Sequence, residues 1–223
     1  MAVLLVLCES NLAHLGSDMT TTVASIITEV QTILQDNGTR WPTTELLSYL
    51  NDGQREIATI RPDLFVVTQA IPLVTGVKQT IPDACINLIE FTRNTDGAAI
   101  RQTDRTMLDL TEPGWYSKTP SKTIKHFCYD PREPDAFYVY PPAAVGASVD
   151  AVMSKMPDDA ITNINCKDTC KNPLIHFILF RAYQKDAEFS GNAALSAGHY
   201  QLFKDTLSQD AAAGQALTPT PTN

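Results

Sequence analysis

Apolar residues recur at Val23, Ile26, Ile27, Val30, Ile33 and Leu34, the three-and-four spacing that lines one face of a helix. The pattern predicts a helix from about Thr21 to Gln35, ended by Asp36-Asn37-Gly38, with Asn or Gly in the left-handed cap position. A second run follows Trp41-Pro42. Thr43 or Thr44 can cap it, and Leu46, Leu47, Leu50, Ile57 and Ile60 form its stripe. Arg61-Pro62 ends the run, because the residue before a proline is pushed out of helical geometry. The connection is short, so these two helices are expected to form an antiparallel hairpin.

From Leu64 to about Lys155 the period changes to that of strands. Phe65 to Leu73, Lys78 to Ile81, Ala84 to Arg93, Ala99 to Thr103, Thr123 to Tyr129, Ala136 to Tyr140 and Ser148 to Lys155 all read as short strands. Asn94-Thr95-Asp96-Gly97 carries an Asp-Gly hairpin signal, and Asp130 to Asp135 a second turn. Pro141-Pro142 is expected to end its strand, and Asp104 to Thr111 reads as one or two helical turns. Helical spacing returns at Asn172-Pro173, a cap followed by proline at the first helical position. Leu174 to Ala187 is apolar around most of its circumference, so this helix is buried on several sides or meets a neighbouring subunit. Ser190-Gly191-Asn192 breaks it. Ala193 to Gln209 follows, with Leu195, Tyr200, Phe203 and Leu207 on one face. There is no internal repeat.

The expected fold class is therefore α+β: a four-helix bundle built from N- and C-terminal helical hairpins, with a central β-rich insertion. The expected divisions are a flexible or docking arm at 1–18, a hairpin at 19–63, the β insertion at 64–165, a second hairpin at 166–210 and an extended tail at 211–223. That tail is mostly Ala, Gly, Pro and Thr, too poor in apolar bulk to fold alone. Met1 to Cys8 is apolar but far too short to span a bilayer, and it lacks the positive start of a signal peptide.

With 223 residues, 43% hydrophobic and 19% charged, the chain can bury a real core. Its net charge of −8 argues against a protein that grips nucleic acid, because phosphate contacts need clustered Lys and Arg. Five scattered cysteines suit reduced thiols. Cys166 and Cys170 with His176 are the nearest approach to a metal set, but a tetrahedral site needs a fourth ligand, so neither metal nor cofactor is expected.

Nucleophile elbow, phosphate loop and His-Glu-x-x-His motif are all missing from the sequence. The acid pairs Asp158-Asp159, Glu133 with Asp135, and Asp104 with Asp109 sit in turns, where solvated carboxylates are common. Aromatic residues gather in the β part: Trp115, Tyr116, Phe127, Tyr129, Phe137, Tyr138 and Tyr140. They read either as sheet packing or as anchors for a partner protein. Tyr138 and Tyr140 share one face of their strand and Phe137 takes the other.

The segment Trp41-Pro42-Thr43-Thr44-Glu45-Leu46-Leu47-Ser48-Tyr49-Leu50-Asn51-Asp52-Gly53-Gln54-Arg55-Glu56-Ile57, followed by Arg61-Pro62-Asp63, resembles the opening helical hairpin of tailed-phage head-to-tail connector (adaptor) proteins. The likeness extends to Pro173-Leu174-Ile175, to Ala182 through Glu188, and to Tyr200 and Phe203. It covers roughly Met19 to Gln209 with a divergent middle, and its motifs mark a helix pair rather than a reaction centre. The resemblance implies a non-enzymatic virion protein at the head-tail junction, assembled in the host cytoplasm. It implies a ring of about twelve copies beneath the portal protein, closed by a contact repeated around an axis. A tail nozzle or tail tube protein would attach below, double-stranded DNA would pass through the lumen without specific binding, and no membrane is involved. On this reading Leu217, Thr218, Pro219 and Thr220 dock on the portal, and Phe177, Phe180 and Tyr183 supply subunit contact. Trp115 and Tyr116 in the β insertion face the tail component. Two other readings stay open: a tail-borne peptidoglycan hydrolase using an acid such as Glu133, and a small soluble binding domain unconnected with phage.

Overall fold

A computed structural model describes residues 21–95, 97–186, 188 and 191–216. The arm at 1–18 and the tail residues Leu217 to Thr220 lie outside these described residues. Among the described residues the fold is mixed α+β, with five helices and two sheets.

Helix α1 (Val23–Leu34) starts where the Thr22 hydroxyl accepts from the Ser25 N–H. It ends at Gln35, which takes the left-handed cap conformation that the sequence reading gave to Asn or Gly. Asp36 accounts for the turn. Its carboxylate accepts from the N–H groups of Gly38, Arg40 and Trp41, so the left-handed cap comes two residues before Asn37. Helix α2 (Thr43–Ile60) has Pro42 at its cap and no side-chain cap bond, so neither threonine caps it.

Helices α4 (Lys171–Lys185) and α5 (Asn192–Ala216) complete the long helices. The expected arrangement as two terminal hairpins is corrected. Helices α1 and α2 meet each other less than either meets α4, and α5 also packs on α4. The reason is the nearly all-round apolar surface of α4, which buries Leu174, Ile175, Phe177, Ile178, Leu179 and Ala182 and gives three helices a place to pack. Helix α5 also runs through Ala211-Ala212-Ala213 to Ala216, past the point where an extended tail was expected to begin. Alanine has the highest helix propensity and needs no burial to stay helical.

The β part comprises β1 (Val66–Pro72), β2 (Gly76–Thr80), β3 (Cys85–Asn94), β4 (Arg101–Gln102), β5 (His126–Tyr129), β6 (Ala136–Ala143) and β7 (Ser148–Lys155), with the short α3 (Arg105–Thr111) after β4. One sheet has the order β1-β7-β3 and the other β2-β6-β5-β4. Apolar side chains from both sheets share one core: Ile71, Phe91, Val149 and Met153 from the first, Phe127, Phe137 and Val139 from the second. Phe91 meets Phe127 edge-on at 4.9 Å between centroids and Phe137 at 4.5 Å. Beyond the Asn94 turn, Ala99 bridges back to Arg93, and β4 then leaves to pair in parallel with β5. Buried Asn94 makes this transfer possible, donating to the carbonyls of Ala98 and Ile124 and accepting from the Ile124 N–H. Strand β6 continues through Pro141-Pro142 instead of ending there. These prolines lie beyond the β5 pairing, and Pro142 contributes its carbonyl, which accepts from the Ser121 N–H.

Candidate functional site

The residues that carry the family resemblance converge in the helical core, and each has a packing task. Gly53 lies on α2 against α4. A Cβ there would stand 2.9 Å from Phe177 Cδ1 and 3.1 Å from Leu174 Cδ2, so glycine sets how closely the two helices approach. Beside it, Asn51 and Gln54 are buried polar residues, Gln54 completely. Asn51 Oδ1 accepts from the Ala160 N–H at 2.8 Å and from Gln54 Nε2 at 3.1 Å. Gln54 Oε1 accepts from the Asn165 N–H at 2.7 Å. The two amides thus pin the irregular segment after β7 onto α2, where its backbone would otherwise be buried without partners.

The ends of the same helices are tied by charge. Arg61 sends one guanidinium nitrogen to the Leu207 carbonyl of α5 at 2.8 Å, while Asp63 holds the fork through two further bonds. That pairing keeps Asp63 ionised below the ordinary carboxylate range. Glu45 accepts from Lys185 at 2.7 Å and from the Tyr49 hydroxyl at 2.6 Å, and Arg40 pairs with Asp186 at 2.6 Å. Burial, and then Glu45, push the Tyr49 phenol up to about 12. The sequence reading classed this segment as packing, and periodicity pointed to Leu46 and Leu50. Nothing in the pattern marked Asn51, Gly53 and Gln54 as core.

The structure separates the expected contact residues. Phe177 is 5% exposed and belongs to the core of its own chain. Phe180 and Tyr183 are half-buried and accessible from outside. Trp115 is fully buried, with its indole N–H on Asp109 at 2.8 Å. It packs with Leu108 and Cys128 on the outer face of the four-stranded sheet, beside Tyr138 and Tyr140. Tyr116 stacks on it at 3.9 Å and stays 44% exposed, so Tyr116 is what this face presents. Nearby, Met107 and Leu110 of α3 are also exposed.

Next to this patch is a polar cleft of about 640 Å³ between the start of α3 and the β5–β6 turn, lined among others by Asp104, Arg105, Asp109, Asp130, Arg132 and Glu133. It gathers several acids weighed for hydrolysis, but each is engaged. Asp104 caps α3 through the Thr106 N–H. Asp130 pairs with Arg132, which holds its carboxyl down to about 2. Glu133 pairs with Lys78 at 2.6 Å, which also lowers it. Glycoside hydrolysis needs one acid held protonated near neutral pH, and the shifts at Asp130 and Glu133 run the other way. Asp158 pairs with Lys155 and Asp159 with Arg55. The Cys166 thiol faces Cys170, which with burial pushes it up. His176 faces His199 instead of the cysteines, and no group of three or more potential metal ligands occurs among the described residues.

One further surface escaped sequence reading. Among the described residues, strand β1 pairs with β7 on one side only, and its other edge is free. Its seven residues, Val66 to Pro72, carry no charge, and all but Ile71 are exposed. The other edges are blunted: β2 carries Lys78, β3 breaks register three times, and β4 has two residues. Natural sheets usually protect their edges with such devices.

Among comparisons with known proteins, the family model described as SU10 adaptor protein matches residues 21–222. No curated protein matches the chain.

Proposed function

The chain belongs to the SU10 adaptor protein family, a family of phage head-to-tail adaptors, and from that premise we propose that it closes into a ring joining the portal protein to the tail. In this reading about twelve copies share a heterologous contact repeated around the axis. DNA passes through the lumen without specific binding, consistent with a net charge of −8. The four long helices act as one bundle-like body, and Leu217, Thr218, Pro219 and Thr220 dock on the portal. Tyr116, with exposed Met107 and Leu110 of α3, meets the tail nozzle or tube protein. Assembly takes place in the host cytoplasm.

The observation that carries the role is the family match over nearly all of the described chain. Support for self-assembly comes from the uncharged free edge of β1, which can accept a strand of a neighbouring copy, and from Phe180 and Tyr183 outside the core. Native mass measurement of the chain mixed with its portal tests the reading. The expected product is a portal bearing a ring of about twelve copies. A mixture that yields only free portal and free monomer at every concentration overturns it.

A further inference from the structure

His176 of α4 and His199 of α5 face each other across the seam between these helices, Nδ1 to Nδ1 at 3.2 Å. Their ring centroids are 5.4 Å apart, and Tyr183 of α4 also stacks on His199 at 5.6 Å and 7°. The α5 imidazole therefore contacts two rings of α4. Both imidazoles are half-buried. A hydrogen bond between two Nδ1 atoms needs one to carry the proton and the other to offer a lone pair. That arrangement exists when the pair holds no extra proton, and also when it holds one. When both rings are imidazolium, two donors and two positive charges face each other and the bond cannot form.

We propose that the His176–His199 pair is an acid-sensitive latch, holding α5 on α4 when at least one ring is neutral and loosening the seam when both are charged. Burial lowers the affinity of both rings for a proton, and a charge on His176 lowers that of His199 further. Among the described residues, burial and the partner imidazole are what shift these rings, and the ring stacked on His199 is the Tyr183 phenol. Cation–π attraction from Tyr183 favours a charge on His199 and opposes the opening. It acts on one charge only, whereas the repulsion arises with the second. Other described contacts also hold the seam: Phe177 on Phe203, Phe180 on Tyr200, and the Ser196 hydroxyl donating to the Phe180 carbonyl. Acid therefore loosens α5 without detaching it.

Both rings take up protons less readily when folded, so the unfolded chain binds more protons below the ordinary His value near 6.5, and stability falls as pH drops through that range. The test compares thermal melts at pH 7.5, 6.5 and 5.5 for the natural chain, His176→Asn and His199→Asn. The natural chain is expected to lose roughly 2–4 °C for each pH unit of depressed titration, and both variants to lose most of that slope. Hydrogen exchange on the natural chain supplies a readout independent of the variants, with α5 amides exchanging faster at pH 5.5 than α2 amides after correction for intrinsic rates. An unchanged slope in both variants, or α5 protection that does not respond to acid, overturns the latch.

Discussion

Gly53 sits in the middle of an 18-residue helix, where glycine costs roughly 1 kcal/mol relative to alanine. The cost is tolerated because a methyl group there meets the Phe177 ring at 2.9 Å, and that ring is itself held against Phe180 and Phe203. Overpacking a fixed core costs about 1–3 kcal/mol, more than the helix-propensity gain in most of that range. Gly53→Ala is therefore expected to lower stability by about 1 kcal/mol, read as a lower urea midpoint at an unchanged slope. A midpoint that rises would mean the ring can yield and the close approach is not required. Asn51 and Gln54 make a related point. Buried polar groups persist in this core because each amide oxygen has a backbone N–H to satisfy.

Among the elements, β1 stands out by its chemistry. A charge on an exposed edge hinders strand addition and costs the folded monomer little. Thr68 is exposed, is paired only to Val152 of β7, and lies at the middle of the strand. Thr68→Lys is expected to leave the melting curve within about 0.5 kcal/mol of the natural chain while abolishing or weakening self-assembly on the portal. Rings that form normally with Lys at 68 would place the subunit contact elsewhere, with Phe180 and Tyr183 next in line. Helix α5 teaches a different lesson. Its apolar period identified Phe203 and Leu207 as core, but Leu195 is 49% exposed and Ser196 is buried in its place. The stripe turns by one residue at the start of the helix, where the Ser196 hydroxyl finds the Phe180 carbonyl.

For the whole molecule, two opposing electrostatic effects set the response to acid. A net charge of −8 repels itself, and neutralising part of it on the way towards the pI near 4.9 relieves that strain. Glu45, Asp63 and Asp150 are held ionised by Lys185, Arg61 and Thr95, so their stabilisation is complete above the ordinary carboxylate range and is lost as pH falls through their lower folded values. Below about pH 4 the second effect dominates, because the unfolded chain then binds more protons than the folded one. The urea midpoint is expected to drop there in the natural chain and equally in the two histidine variants, separating this loss from the latch at higher pH. A midpoint that keeps rising below pH 4 would show that charge repulsion outweighs these three pairs.

Local spacing was enough to read the helices, most of the strands and the α+β class, because period and turn chemistry are properties of neighbours along the chain. It also placed Phe137 and Tyr138 on opposite faces of β6, since alternation alone decides that. The sheet order, the parallel β4–β5 pairing and the central place of α4 came only with the fold, because each depends on which distant surfaces meet. The same holds for the sites. Trp115 and Phe177 are enclosed by packing that spacing does not show, and among the described residues the edge of β1 is free because no other strand covers it. Side-chain type is written in sequence, but exposure is a relation between elements, and it was settled by packing.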